Sequence, residues 1–179
     1  MSQISKIMDI REPNPLDKKS LEVCFVRNIE ALQEQQIFLV MRDKLPPHSL
    51  EDESLESSPF SLLRFRVAHS DKAFALMIDA EPAAEGENDI CCELRFVAAG
   101  VEHVVAAQAG GELVLLDGCV AEGVRSFSSM QHPALGGKRK WRVVMLPMAL
   151  LGSATEHVTL SLTVDDVRCG RFEGELKIV

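Results

Sequence analysis

The stretch KRKWRVVMLPMALLGS, Lys138 to Ser153, decides the fold. It opens on three consecutive cations, Lys138, Arg139 and Lys140, and carries the chain's only tryptophan, Trp141. Trp141 to Leu146 is a short apolar run between a basic turn and Pro147, the pattern of a buried strand. Pro147 stops the strand because it brings no N–H to a ladder. Met148 to Leu151 then read as one apolar turn closed by Gly152. Alternation puts Trp141, Val143 and Met145 on one core face.

The same period-2 pattern recurs from Phe60 onward. In LLRFRV (Leu62 to Val67), Leu63, Phe65 and Val67 share one face, and Arg64 and Arg66 the other. The polar AHSDKA (Ala68 to Ala73) has hairpin length, and FALMID (Phe74 to Asp79) follows with Phe74, Leu76 and Ile78 on one face. After the turn-rich Ala80 to Asp89, ICCELRFV (Ile90 to Val97) points Cys92, Leu94 and Phe96 inward and Glu93 and Arg95 outward. Ala98-Ala99-Gly100 makes a tight connection. VEHVVAA (Val101 to Ala107) and ELVLL (Glu112 to Leu116) flank Gly110-Gly111, and Asp117-Gly118 is a second turn signal. VTLSLTV (Val158 to Val164) and FEGELKI (Phe172 to Ile178) alternate cleanly, with Phe172, Leu176 and Ile178 inward. About eight to ten short strands with one polar face each predict antiparallel sheets packed on one side, hence a mainly β fold, a sandwich or barrel, in a chain long enough for the two packed sheets of an antiparallel sandwich.

Upstream the pattern is less regular. Leu21 to Val26 and Ile37 to Met41 read as strands around a helical turn, although Leu21, Phe25, Ile29 and Leu32 also fit a helical stripe. The expected organisation is residues 1–45 as an N-terminal arm and first elements packed on the main domain, 46–59 as an acidic Pro/Ser loop, and 60–179 as the sandwich, all in one domain. The loop's Glu51, Asp52, Glu53 and Glu56 come without the turn glycine that a calcium loop needs.

Composition narrows function. The chain of 179 residues has a formal net charge of −8, and its one dense basic cluster is Lys138 to Lys140. That balance disfavours nucleic acid and anionic membranes as partners. No run reaches the roughly 18 apolar residues of a membrane helix. Cys24, Cys91, Cys92, Cys119 and Cys169 are odd in number and include no C-x-x-C, so they read as free thiols, and a cytoplasmic location is expected. Adjacent Cys91 and Cys92 fall on opposite faces of a strand, one in the core and one out.

No dinucleotide, P-loop, G-x-S-x-G or H-E-x-x-H motif occurs. His48, His69, His103, His132 and His157 lack metal-ligand spacing and read as loop or strand-end residues; His69 and His103 are the first to inspect. Cys119, just after Asp117-Gly118, is a candidate exposed thiol, and Asp165-Asp166 reads as a turn. Gly110-Gly111 and Gly136-Gly137 open no helix and read as turns rather than phosphate sites. Neither catalytic nor metal residues are assigned, and no cofactor is expected.

WRVVMLPMALLG (Trp141 to Gly152) resembles a segment of family 9 carbohydrate-binding modules and their DOMON-like relatives, in which a tryptophan-led strand meets a proline and a short apolar turn. FALMIDAEP (Phe74 to Pro82) and CELRFVAAG (Cys92 to Gly100) resemble strands of the same family. The resemblance covers Leu62 to Ser153 and implies an antiparallel β-sandwich of jelly-roll-like form with a non-enzymatic role, binding sugars or, in the wider group, haem. Against that pattern, sugar sites use aromatic platforms, and this chain has one Trp and no Tyr. Phe60, Phe127 and Phe172 are the other rings able to stack. Haem would need an axial ligand such as Met145, Met148 or His69. No binding residue is carried over from the family.

The reading at this level is a non-enzymatic binding or interaction module. A protein partner or homodimer is expected through sheet edges or the segment Ser2 to Gln36. The alternatives are a carbohydrate-binding module and a small enzyme with a loop-built His/Cys/Asp site.

Overall fold

The computed structural model describes residues 19–49, 60–82, 90–98, 100–108, 113–136, 139–151, 156–164 and 167–178, with the backbone alone at 19, 60–62, 82, 98, 136, 156–164 and 167–171. The strands are β1 (Lys19–Phe25), β2 (His48–Ser49), β3 (Phe60–His69), β4 (Ala73–Pro82), β5 (Cys91–Ala98) and β6 (Val101–Ala107). They continue with β7 (Val114–Leu116), β8 (Arg125–Ser128), β9 (Lys140–Pro147), β10 (Glu156–Val164) and β11 (Val167–Ile178). Among the described residues, three α-helices join them, α1 (Glu34–Lys44), α2 (Pro133–Gly136) and α3 (Met148–Leu151), with a 3-10 turn at Ile29–Ala31. None is long and apolar enough to cross a membrane.

The strands run in the order β7-β6-β5-β10-β11-β1-β3-β4-β9-β8, with β2 beside β3. β1 belongs to both halves of this path. Lys19 to Val23 pair with Gly174 to Ile178 of β11, whereas Cys24 and Phe25 pair with Ala68 and His69 of β3. The path is therefore a sandwich of two sheets sharing one strand. The first sheet is β7-β6-β5-β10-β11-β1, and the second is β1-β3-β4-β9-β8. All pairs are antiparallel except the two made by β1. Lys19 to Val23 are thus bonded to β11 and Cys24 and Phe25 to β3, each along one edge.

The alternation read from the sequence builds the main core. Phe65, Val67, Phe74, Leu76 and Ile78 meet Cys92, Leu94, Phe96, Phe172 and Leu176 between the sheets. Phe65 and Phe172 bridge the gap directly, with ring centroids 5.1 Å apart. As expected, Cys92 is buried and Cys91 half-buried. Asp117 and Gly118 both take positive φ, 51° and 83°, the geometry of a two-residue hairpin turn.

Two expectations need correction. The first is that each sheet packs on one side. The second sheet is buried on both. Its outer face carries Ala68, Ala75, Met77, Phe127, Trp141, Val143 and Met145, which pack against Ile29, Ile37, Phe38, Met41 and Leu45. β9 consequently has no solvent face: Trp141, Val143 and Met145 lie under α1, while Val144 and Leu146 enter the main core.

The second concerns Ile37 to Met41, which are helical rather than a strand. A strand would put Ile37, Leu39 and Met41 on one face, yet Leu39 is 37% exposed while its two neighbours are fully buried. Ile37, Phe38, Met41 and Leu45 have the spacing of a helical stripe. The helix is started by a capping box. The Gln33 side chain accepts from the Gln36 backbone, and the Gln33 N–H donates to Gln36 Oε1 at 3.1 Å. Glu34 in the first turn and Arg42 and Lys44 in the last complement its dipole.

Pro147 ends β9 as read, and Gly123 (φ 79°) is packed against it. A Cβ on Gly123 would lie 2.8 Å from Pro147 Cγ, so only glycine fits. The strand β8 carried no sequence signal, since RSFS is too short and too polar to stand out. The arm 1–18 and residues 50–59 of the acidic loop lie outside the described residues, as do Gly110-Gly111, Gly137, Gly152 and Asp165-Asp166.

Candidate functional site: an arginine cluster on the outer face of the second sheet

The β3–β4 hairpin turns at Ser70 to Lys72. Ser70 Oγ accepts from the N–H groups of Lys72 and Ala73 and donates to Glu30 Oε2 at 2.5 Å. This turn sets a register in which Val67 faces Leu76, Arg66 faces Met77 and Arg64 faces Asp79. Arg64, Arg66 and Asp79 therefore share the outer face of the second sheet, and Trp141 of β9 lies directly across from Asp79.

Asp79 is buried, and three guanidinium groups meet at its Oδ2. Arg64 Nη2 lies at 3.0 Å, Arg66 Nη1 at 3.3 Å and Arg139 Nη1 at 3.7 Å. Arg66, also buried, donates from Nε to Leu45 O at 3.3 Å, which ties the cluster to the end of α1. Burial pulls the Arg66 guanidinium below its ordinary value, the hydrogen bond to Asp79 opposes that shift, and Arg64 and Arg139 add to it by repulsion. Burial likewise lowers His48, with Arg66 contributing. Arg42 lies over the Phe38 ring at 5.3 Å and pairs with Asp43 through two bonds, of 2.8 and 3.4 Å.

Beside this cluster lies an aromatic group. Phe38 stacks on Trp141 with centroids 4.2 Å apart, Phe127 meets it edge-on at 6.0 Å, and His132 lies parallel at 6.3 Å. Trp141 is only 1% exposed, so it offers no stacking surface. Lifting α1 would expose Ile37, Phe38 and Met41, at about 1.5–3 kcal/mol each. That sum rivals the stability of a whole domain, ~5–15 kcal/mol. Trp141 is core, even though its Nε1 has no partner.

The remaining candidates scatter. His69 is buried at the end of β3, with Nδ1 3.1 Å from Ser70 O and its ring edge-on to Phe25. His103 Nδ1 lies 2.8 Å from Asp117 Oδ2, and Asp117 Oδ1 accepts from the Val104 N–H at 2.8 Å. Those two bonds, the His103 one first, hold the Asp117 carboxyl below its usual range. Cys119 is exposed on the same turn. Burial pushes the Cys92 thiol up to about 12, which leaves it a packing group. His132 Nε2 sits 3.7 Å from Glu34 Oε1. Met145 is covered by α1, and Met148 packs at the margin of the main core. Phe127 and Phe172 are both buried, so neither is a platform. Among the described residues no three His, Cys, Asp or Glu are grouped to hold a metal. Arg139 reaches the cluster, whereas Lys138 and the side chains of Phe60, His157 and Cys169 lie outside the described residues.

Sequence reading missed Arg64, Arg66 and Asp79 because alternation assigns them to a solvent face. The hairpin itself held a signal. Counting outward from the polar turn places Arg64 opposite Asp79.

No family model and no curated protein matches the chain. Solved structures do. A putative carbohydrate-binding protein from Bacteroides uniformis aligns at 17% identity, covering 91% of this chain and 92% of its own, with TM-score 0.52. A family 9 carbohydrate-binding module from Caldicellulosiruptor kristjanssonii, solved with glucose, aligns at 8% identity over 90% and 96%, with TM-score 0.58. The structure of such a module with cellotriose aligns at 10% identity over 89% and 93%, also with TM-score 0.58. The resemblance seen at Trp141 to Gly152 thus holds for the fold as a whole: the chain has the β-sandwich of family 9 modules.

Proposed function

We propose that the chain is a non-catalytic binding module with a carbohydrate as its ligand. The observation that carries this reading is the sandwich shared over about nine-tenths of both chains with modules solved holding glucose and cellotriose. The Asp79 cluster is the recognition surface: Arg139 and Arg64 offer donors at the rim, and buried Asp79 and Arg66 hold them. With Trp141 buried, polar contacts replace stacking as the main source of affinity. Isothermal titration against neutral and acidic oligosaccharides tests it. Saturable binding that Arg139→Gln weakens supports the reading, and a blank panel overturns it.

A second reading is a protein partner or homodimer joined at a sheet edge. It is favoured by β8, which among the described residues pairs only with β9, and by Met130, 51% exposed just beyond it. Light scattering after size exclusion tests it, and a monomer at every concentration removes the homodimer. A cytoplasmic location belongs to the proposal, supported by the free thiols of Cys24, Cys92 and Cys119.

A further inference from the structure

The Asp79 cluster is out of balance. Three guanidinium groups approach one carboxylate oxygen, so one negative charge faces three positive ones. Glu81, two positions along the same face of β4, raises the carboxylates to two, so among the described residues they stay short of the cations. Arg42 adds no surplus, because Asp43 pairs with it. Like charges this close repel, and the shared attraction of Asp79, with the β3–β4 pairing that fixes Arg64 and Arg66, holds them together.

The surplus lies at the rim. The side chains of Arg66 and Asp79 are 5% and 4% exposed, whereas those of Arg64 and Arg139 are 24% and 46% exposed. At 3.7 Å, the Arg139 approach to Asp79 is longer than a hydrogen bond. Arg64 Nε is buried and has no acceptor. Among the described residues, the unspent donors that face water are therefore those of half-exposed Arg139, in a chain whose net charge of −8 otherwise repels anions. A guanidinium is a planar fork that matches a carboxylate in two parallel bonds.

We infer that the ligand of this cluster is a saccharide bearing a carboxylate, a uronate, gripped by Arg139 and Arg64 while Asp79 and Arg66 hold the frame. This rests on the carbohydrate reading above and names the ligand class. A second anion at the rim relieves the repulsion that Asp79 alone leaves, which a neutral sugar cannot do.

The test is calorimetric titration with a galacturonic acid trimer, with cellotriose, and with sodium acetate and sulfate as free oxyanions. The uronate trimer is expected to bind saturably, at least about tenfold tighter than cellotriose, and to weaken as salt is raised. Arg139→Gln is expected to cost about tenfold or more in affinity while leaving the thermal midpoint in place, because Arg139 is half-exposed. Arg139→Lys, which keeps the charge but loses the fork, should recover part of it. Cellotriose binding as tightly as the trimer overturns the inference and leaves the carbohydrate reading standing. If neither saccharide binds, both fall, and binding of acetate or sulfate through Arg139 would then mark a simple oxyanion site instead. Uronate binding that survives both Arg139→Gln and Arg64→Gln overturns the placement of the site.

Discussion

The two outer faces of the sandwich use charge in opposite ways. On the first sheet, Arg95 bonds Glu93 at 2.7 Å and Glu102 at 3.2 Å, with all three side chains at least 40% exposed. Water already solvates these groups, so such pairs contribute roughly 0–1 kcal/mol. On the second sheet, Arg66 and Asp79 form a pair of similar length but nearly without solvent, under the end of α1. There the pair decides stability, because losing one member strands the other in a poor dielectric. Distance alone does not separate the two faces; the helix does.

The contrast can be broken experimentally. Asp79→Ala should have the largest effect, about 3–5 kcal/mol, because it leaves buried Arg66 without its carboxylate. A urea melt whose midpoint is unchanged would mean that water reaches the pair. Met41→Ala removes part of the cover and should cost about 2–4 kcal/mol through the cavity left over the second sheet; a cost near that of a surface change would show α1 to be only loosely seated. Gly123→Ala combines positive φ with the contact to Pro147, and about 2 kcal/mol is expected in the same melt.

A smaller effect concerns pH at the edge of the first sheet. The folded-state pKa of Asp117 lies below its unfolded value, so its bonds to His103 and Val104 stabilise the fold above the unfolded carboxylate range, about pH 4. That contribution is lost as pH falls through the folded value. Asp117→Asn should therefore flatten part of the acid limb of a stability–pH curve, and an unaltered limb would deny the bond any role. Arg95→Ala is the weakest test, with a change within about 0.5 kcal/mol. A loss as large as that from Asp79→Ala would erase the contrast between the faces.

Much of the main core was legible because period-2 alternation is a local property. Phe65, Val67, Phe74, Leu76, Cys92, Leu94 and Phe96 all point where their spacing says. The outer face of the second sheet was not, because its residues are read against a cover that arrives from elsewhere in the chain. Arg64 and Arg66 alternate like solvent residues, and only α1 and Asp79 make Arg66 an interior one. Arg142 is the extreme case. It follows Trp141 in an apolar strand, yet it is fully buried between the sheets and donates to Ile90 O, Gln108 O, Leu113 O and Ser126 Oγ. Nothing local announces that four acceptors from separate segments will surround it.

By itself, then, the sequence determined most of the strands, β2 and β8 excepted, their inward faces in the main core and the turn at Pro147, since these follow from pleat geometry and from residues that cannot continue a ladder. Tertiary structure alone decided that β1 joins both sheets and that Trp141 is covered rather than offered to a ligand, and it selected between the two periods left open at Ile37 to Met41. Short apolar runs satisfy either period, so the partner surface, not the run, selects the conformation.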